Sequence, residues 1–297
     1  MPGPHSLRAV SSEPADISLV VPSHNRADAL RTNLPDMLRL EGVLEIIVVI
    51  ERHTSDESPE VVEALGDERL TLIRNPGPPG LSASRNAGVA ESSGAWILFG
   101  EDDCRFPPDY AVVLKREALA HDAQIAGAPW IHVDAGVDAL ARLAELRGSA
   151  PAEPRIDAHG GVPAETVETP FIPAPALIRR DVFDKVSFDE GYTGNAYRQE
   201  TAFFVQAMRS GYRCVLTPFT ASYQQQQWEE GGARSTPLAY ELSTLRNNWR
   251  FMRLHGDWMA ERGYIHGKLR FQAAFTAERV MKNVRGVISA RFARRAA

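Results

Sequence analysis

The chain has 297 residues, of which 44% are hydrophobic, and a formal net charge of −5. That length and apolar share are enough for a sizeable core and argue against a disordered chain. The mildly acidic balance argues against a general nucleic-acid binder, and two cysteines without CxxC spacing, Cys104 and Cys214, argue against a disulfide framework or a thiolate metal cage.

No run of about 18 uncharged apolar residues occurs, which argues against a spanning helix. The opening MPGPHSLRAVSSEPAD lacks the apolar centre of a signal peptide, so a cytoplasmic location is expected. The charge is unevenly spread. Residues 268–297 carry +7, leaving −12 on the rest.

In chain order, ISLVVPSHNR (17–26) reads as a buried strand closed by a polar loop. ADALRTNLPDMLRL (27–40) has helical spacing of Leu30, Leu34, Met37 and Leu38, with Pro35 as an interruption. LEIIVVIE (44–51) is a second buried strand, SDESPEVVEAL (55–65) a capped helix, and RLTLIRN (69–75) a third strand. After the breakers NPGPPG, the small residues of LSASRNAGVAESSG (81–94) suit a helix packed closely on a sheet, and AWILFG (95–100) is a fourth strand.

Four strand–helix alternations predict an α/β fold with a mostly parallel central sheet flanked by helices. In such sheets ligands bind beyond the carboxyl ends of the strands, where the loop after Pro22, Glu51 and the acidic run 101–103 should meet.

The segment 148–170, rich in Pro and Gly, predicts a mobile surface loop, either a lid or a plain linker. Beyond it come another strand, a helix ending near Gly211 and a further strand. Residues 238–256 and 266–295 both read as helices.

The apolar WILFG runs straight into Glu101, Asp102 and Asp103. If the chain stays extended, Glu101 and Asp103 point the same way and offer hard oxygen ligands for Mg²⁺ or Mn²⁺. An acidic turn facing water is the bland alternative.

The ordered series VPSHNR, EIIVV, LSASRNAGVAESSGAWILFGEDDCRFPPDY and DEGYTGNAYRQETAFFVQAMRSGYRCVLTP resembles the family 2 glycosyltransferases over roughly residues 17–225. The resemblance implies a glycosyltransferase A-type (GT-A) nucleotide-binding fold and transfer of a sugar, with inversion, from a nucleotide-diphosphate sugar to an acceptor hydroxyl. It also implies a divalent metal, manganese or magnesium, and UDP or dTDP as the carrier.

By that match the family's Asp-x-Asp reads Glu101-Asp102-Asp103, with Asp103 on the metal and Glu101 on donor hydroxyls. Pro22, His24 and Asn25 stand near the nucleobase, though Asn25 also suits a helix cap. Ile50 replaces the first acid of a base-contacting pair, and Glu51 fills the second place. Arg85 matches a diphosphate contact, a role its planar fork suits. Glu200 matches the catalytic base, with Gln199 in place of a neighbouring acid; a helix-start acid is its other reading.

A metal-ligating His of many relatives is replaced by ASYQQQQW (221–228), where Trp228 offers a sugar platform in competition with Trp130, Trp249 and Trp258. The expected organisation is a flexible stretch at 1–15, a catalytic domain at 16–235 and a C-terminal helical extension at 236–297. The basic end of that extension suits either peripheral contact with an anionic membrane or packing on the domain. Two rival functions stay open: a nucleotide-sugar binder that has lost turnover, and a sugar nucleotidyltransferase. The second wants a Gly-rich loop that VPSHNRADAL lacks.

Overall fold

The structure, a computed structural model, describes residues 14–134, 136–151, 156, 161–224 and 236–281. The expected flexible start, the Gln225–Gln227 run with Trp228, and the basic end beyond residue 281 therefore lie wholly or almost wholly outside the described residues.

The elements are β1 (Ile17–Ser23), α1 (Ala27–Met37), β2 (Val43–Ile50), α2 (Ser58–Ala64), β3 (Leu70–Arg74), α3 (Leu81–Glu91), β4 (Trp96–Phe99) and α4 (Tyr110–Ala120). They continue with β5 (Ile125–Gly127), β6 (Trp130–His132), α5 (Ala139–Leu146), β7 (Val167–Glu168), β8 (Ala176–Arg179), α6 (Gln199–Arg209), β9 (Cys214–Leu216), β10 (Ser222–Gln224) and α7 (Pro237–Glu261). Residues 268–281 are also helical.

Eight strands form the main sheet in the order β3-β2-β1-β4-β8-β5-β9-β7. The first four strands are mutually parallel, as the sequence alternation predicts. β8 enters antiparallel between β4 and β5, and β7 is antiparallel to β9 at the far edge. That last strand corrects the reading of 148–170 as loop throughout: Val167 and Glu168 pair with Leu216 and Val215, which offer a free sheet edge.

Every residue of β1 is buried, because helices cover both sheet faces. Its period of two divides the core. Ile17, Leu19 and Val21 face one apolar cluster with Leu30, Leu34 and Met37 of α1 and Tyr110 and Leu114 of α4. Val20 faces the opposite cluster with Phe99 and with Phe203 and Phe204 of α6. Pro35 falls in the last turn of α1, where it withholds one backbone N–H from the helix, and the helix stops two residues later.

α3 lies on the second face with almost no clearance. A Cβ built at Gly88 would overlap Val20 Cγ1 and press on Val49 Cγ2 at 3.1 Å. This is the physical reason for the run of small residues, and it brings the α3 side chains Ser84 and Arg85 to the end of the sheet.

α7 shares a third cluster with α6, joining Phe251, Met252 and Met259 to Ala202 and Val205. The helical residues after 268 are tied to α7 by Arg279 to Glu241 and Lys268 to Asp257. Two of the basic residues thus serve packing. No helix among the described residues is long and apolar enough to cross a membrane.

Gly88→Ala should lower stability. Overpacking against the stiff Val20 costs about 1–3 kcal/mol, while the helix gains at most about 1 kcal/mol from alanine. A denaturant midpoint equal to or above that of the unaltered chain would show that α3 has room to lift.

Candidate active site

The loops that leave β1, β2 and β4 open on one edge of the sheet and are tied together at their roots. Glu51 N donates to Ser23 O at 3.3 Å, and Gly100 N to Val20 O at 2.8 Å. Between them lies a cleft of about 860 Å³. Of the nine residues expected at the site, Pro22, His24, Glu51, Glu101, Asp102 and Asp103 line it, while Asn25, Arg85 and Glu200 stand outside its lining.

Asn25 adopts a left-handed backbone, φ 51, and its Oδ1 accepts from Ser55 N at 2.8 Å. The helix cap expected of Asn25 comes instead from Asp56, whose carboxylate accepts from Ala27 N at 2.7 Å. These two bonds lace the β1–α1 loop to the loop after β2 and set the wall on which His24 sits. Glu51 Oε1 accepts from Ser84 Oγ at 2.6 Å and from Gly80 N at 3.1 Å, so Glu51 anchors the start of α3 as well as lining the cleft.

The acidic run forms the cleft floor. Asp102 is buried and accepts from Ser23 Oγ at 2.7 Å and Arg26 Nη1 at 2.8 Å. Asn33 Nδ2 holds its backbone carbonyl at 2.9 Å. Burial pushes the Asp102 carboxyl up to about 6, with Arg26 opposing and Asp103 adding to the rise. Glu101 is pushed up to about 7 by burial first, against the pull of Arg85, with Asp103 and Glu200 repelling it further. A third of its side chain, 33%, still faces the cleft.

Glu101, Asp103 and Cys104 each bring a ligand atom within 4.8 Å of the others. Burial and the neighbouring carboxylates push the Cys104 thiol far above its ordinary value, so it stays protonated. The two carboxylates, not the thiol, fit a hard divalent cation.

Arg85 departs from expectation. Its side chain is 1% exposed and reaches Glu101 at 3.4 Å and Glu200 at 3.4 Å. Its guanidinium lies over the rings of Phe99 and Phe188. In this conformation it is the counter-ion behind the carboxylates and does not face a diphosphate in the cleft. Glu200 opens α6, where Gln199 Nε2 also donates to its Oε1 at 3.1 Å.

Thr193, Gly194, Asn195 and Ala196 complete the cleft wall. Gly194, Ala196 and Arg198 all take positive φ, at 69°, 50° and 71°, which is strained for the last two. α7 restrains them. Thr244 Oγ1 accepts from Asn195 at 2.6 Å, Asn247 Nδ2 donates to Thr193 O at 2.9 Å, and Asn248 Oδ1 accepts from Arg198 Nε at 3.3 Å. Three buried polar residues on one helix face are the signal that could have exposed this role. Arg26 was present in the quoted VPSHNR, but nothing local marks its partners.

Because folding raises the Glu101 pKa above its ordinary 4.5, the folded state binds its proton more tightly, and the ionised form costs stability progressively from about pH 4.5 up through about 7. Glu101→Gln removes that cost. Its melting temperature relative to the unaltered chain should therefore rise between pH 5 and pH 8 in metal-free buffer; a constant difference would contradict the shift.

The family model for glycosyl transferase family 2 matches residues 18–187. The succinoglycan biosynthesis protein ExoO of Rhizobium meliloti is 36% identical over 114 residues, 37% of this chain and 32% of ExoO, so the chain spans about a third of that relative's length. The mannosyltransferase PcManGT from Pyrobaculum calidifontis, solved in complex with GDP-Man and Mn²⁺, superposes with TM-score 0.57 at 14% identity, covering 84% of this chain and 67% of its own. GalNAc-T7, solved with UDP, GalNAc and Mn²⁺, does so with TM-score 0.60 at 14% identity, covering 80% and 47%. Those two likenesses are of fold, and the fold is of the GT-A type. With more than half its length matched by the family, the chain belongs to glycosyl transferase family 2.

Proposed function

We propose that the protein is an inverting glycosyltransferase that takes a sugar from a nucleotide-diphosphate donor, UDP or dTDP, and passes it to an acceptor hydroxyl. The observation that carries this reading is the convergence of Pro22, His24, Glu51 and the carboxylates 101–103 on one cleft beyond the strand ends. Its volume of about 860 Å³ is ample for a nucleotide sugar.

In this reading the apolar Pro22 and the His24 ring flank the base. Glu101 and Asp103 would hold Mn²⁺ or Mg²⁺, and when bound the ion supplies charge neutralisation for the departing nucleotide diphosphate. Glu200 is the base. The bonds described for its carboxylate, from Arg85 and Gln199, both fall on Oε1, which leaves Oε2 for a proton.

As the acceptor oxygen bonds to the anomeric carbon, its proton passes to Glu200 and the bond to the phosphate oxygen breaks. The nucleotide diphosphate takes that electron pair. Attack from the face opposite the leaving group inverts the centre. The wall at 193–196, held by α7, faces the same cleft and suits the acceptor side.

Calorimetric titration of UDP, dTDP and GDP with and without Mn²⁺ tests the reading. One nucleotide should bind in a metal-dependent manner, and Asp103→Ala should abolish that dependence. Glu200→Gln should keep nucleotide binding and lower turnover by about 10²- to 10⁴-fold. Metal-dependent binding with turnover absent from the unaltered chain would instead favour a binder that has lost catalysis.

A further inference from the structure

Arg26 lines the cleft as an arginine to which the proposed chemistry assigns no task. It reaches across from the start of α1, and a single nitrogen, Nη1, lies 2.8 Å from Asp102 Oδ1 and 2.8 Å from Asp103 Oδ2. Its Nε is buried without an acceptor. Arginine pairs most strongly with carboxylates when two nitrogens meet two oxygens of one partner. Here one nitrogen is shared between two partners, an arrangement that neutralises charge without using the fork.

The two partners are not equally held. Asp102 is buried, takes a second bond from Ser23, and is fixed through its backbone by Asn33. Asp103 lies nearer the open cleft, with 18% of its side chain exposed against 8% for Asp102. Asp103 is also the carboxylate grouped with Glu101 as a cation ligand. A divalent ion taking Asp103 would stand close to Nη1, and like charges at that range repel strongly in a partly buried site.

We propose that Arg26 is an exchangeable counter-ion, which neutralises Asp102 and Asp103 in the metal-free protein and must withdraw from Asp103, staying with Asp102, when a divalent cation binds. The inference rests on reading Glu101 and Asp103 as the cation pair. Arg26 thereby sets how tightly the floor holds a cation and protects an acidic cleft from loading with stray ions. Its opposite is a fixed strut that holds Asp103 in place for the metal.

The two differ in sign. Mn²⁺ alone is titrated into the full chain without nucleotide, and the free ion is followed by electron paramagnetic resonance. Arg26→Gln should bind Mn²⁺ at least about tenfold more tightly than the unaltered chain, because a competing charge has gone. Arg26→Lys, which keeps the charge, should stay close to the unaltered chain. Arg52→Gln, which removes a cation bonded to Pro76 O in a neighbouring loop, should change affinity less than about twofold because exposed charges are screened.

Arg26→Met, which keeps the aliphatic stem, repeats the test should the Gln variant not fold. Equal or weaker Mn²⁺ binding without the guanidinium, equal tightening in Arg52→Gln, or no Mn²⁺ binding in any variant would overturn the inference. Tightening in Arg26→Gln without nucleotide binding would remove the donor reading and leave the exchange standing. Nucleotide binding with no tightening would do the reverse.

Discussion

Charge compensation at the end of β4 is the constraint on which the site depends. Three successive carboxylates leave a fully buried strand and repel one another, and burial makes Glu101 and Asp102 resist ionisation. Two arginines answer from opposite sides. Arg26 comes from the start of α1 and Arg85 from α3. The dependence is mutual, because a guanidinium as buried as that of Arg85 is tolerable only with Glu101, Glu200 and two ring faces around it. The placement of α1 and α3 is therefore part of the same electrostatic arrangement as the acidic floor.

In that arrangement Arg85 bridges two carboxylates. A guanidinium that touches both Glu101 and Glu200 links the acidic floor of the cleft to the start of α6 through one rigid planar group. It fixes the relative position of two carboxylates that the sequence separates by almost a hundred residues.

Much of the fold could be read from the chain because its signals are local. β1, β2 and β4 are buried on both faces and so appear as unbroken apolar runs, and their ends converge on one edge by topology alone. That is why Pro22, His24, Glu51 and 101–103 were found together. The two-residue β7 had no such signal. Its pairing depends on an edge that Val215 and Leu216 provide from far along the chain. Arg26 and Asp102 lie 76 positions apart, and Arg85 and Glu200 lie 115 apart. Residue type told which of these carry charge, but only the fold decides which charges meet. The bond to the start of α1 is hidden for a similar reason, since Asp56 supplies it from another loop.

The hold of α7 on the wall at 193–198 has a consequence for biosynthesis. α7 lies beyond the matched span of 18–187, and a chain emerging from the ribosome presents its sheet and acidic floor well before Thr244, Asn247 and Asn248 appear. Until then the left-handed backbone at Ala196 and Arg198 has nothing from α7 to restrain it. The wall at 193–198 is thus restrained only once α7 docks, so this side of the cleft is set later in synthesis than the acidic floor.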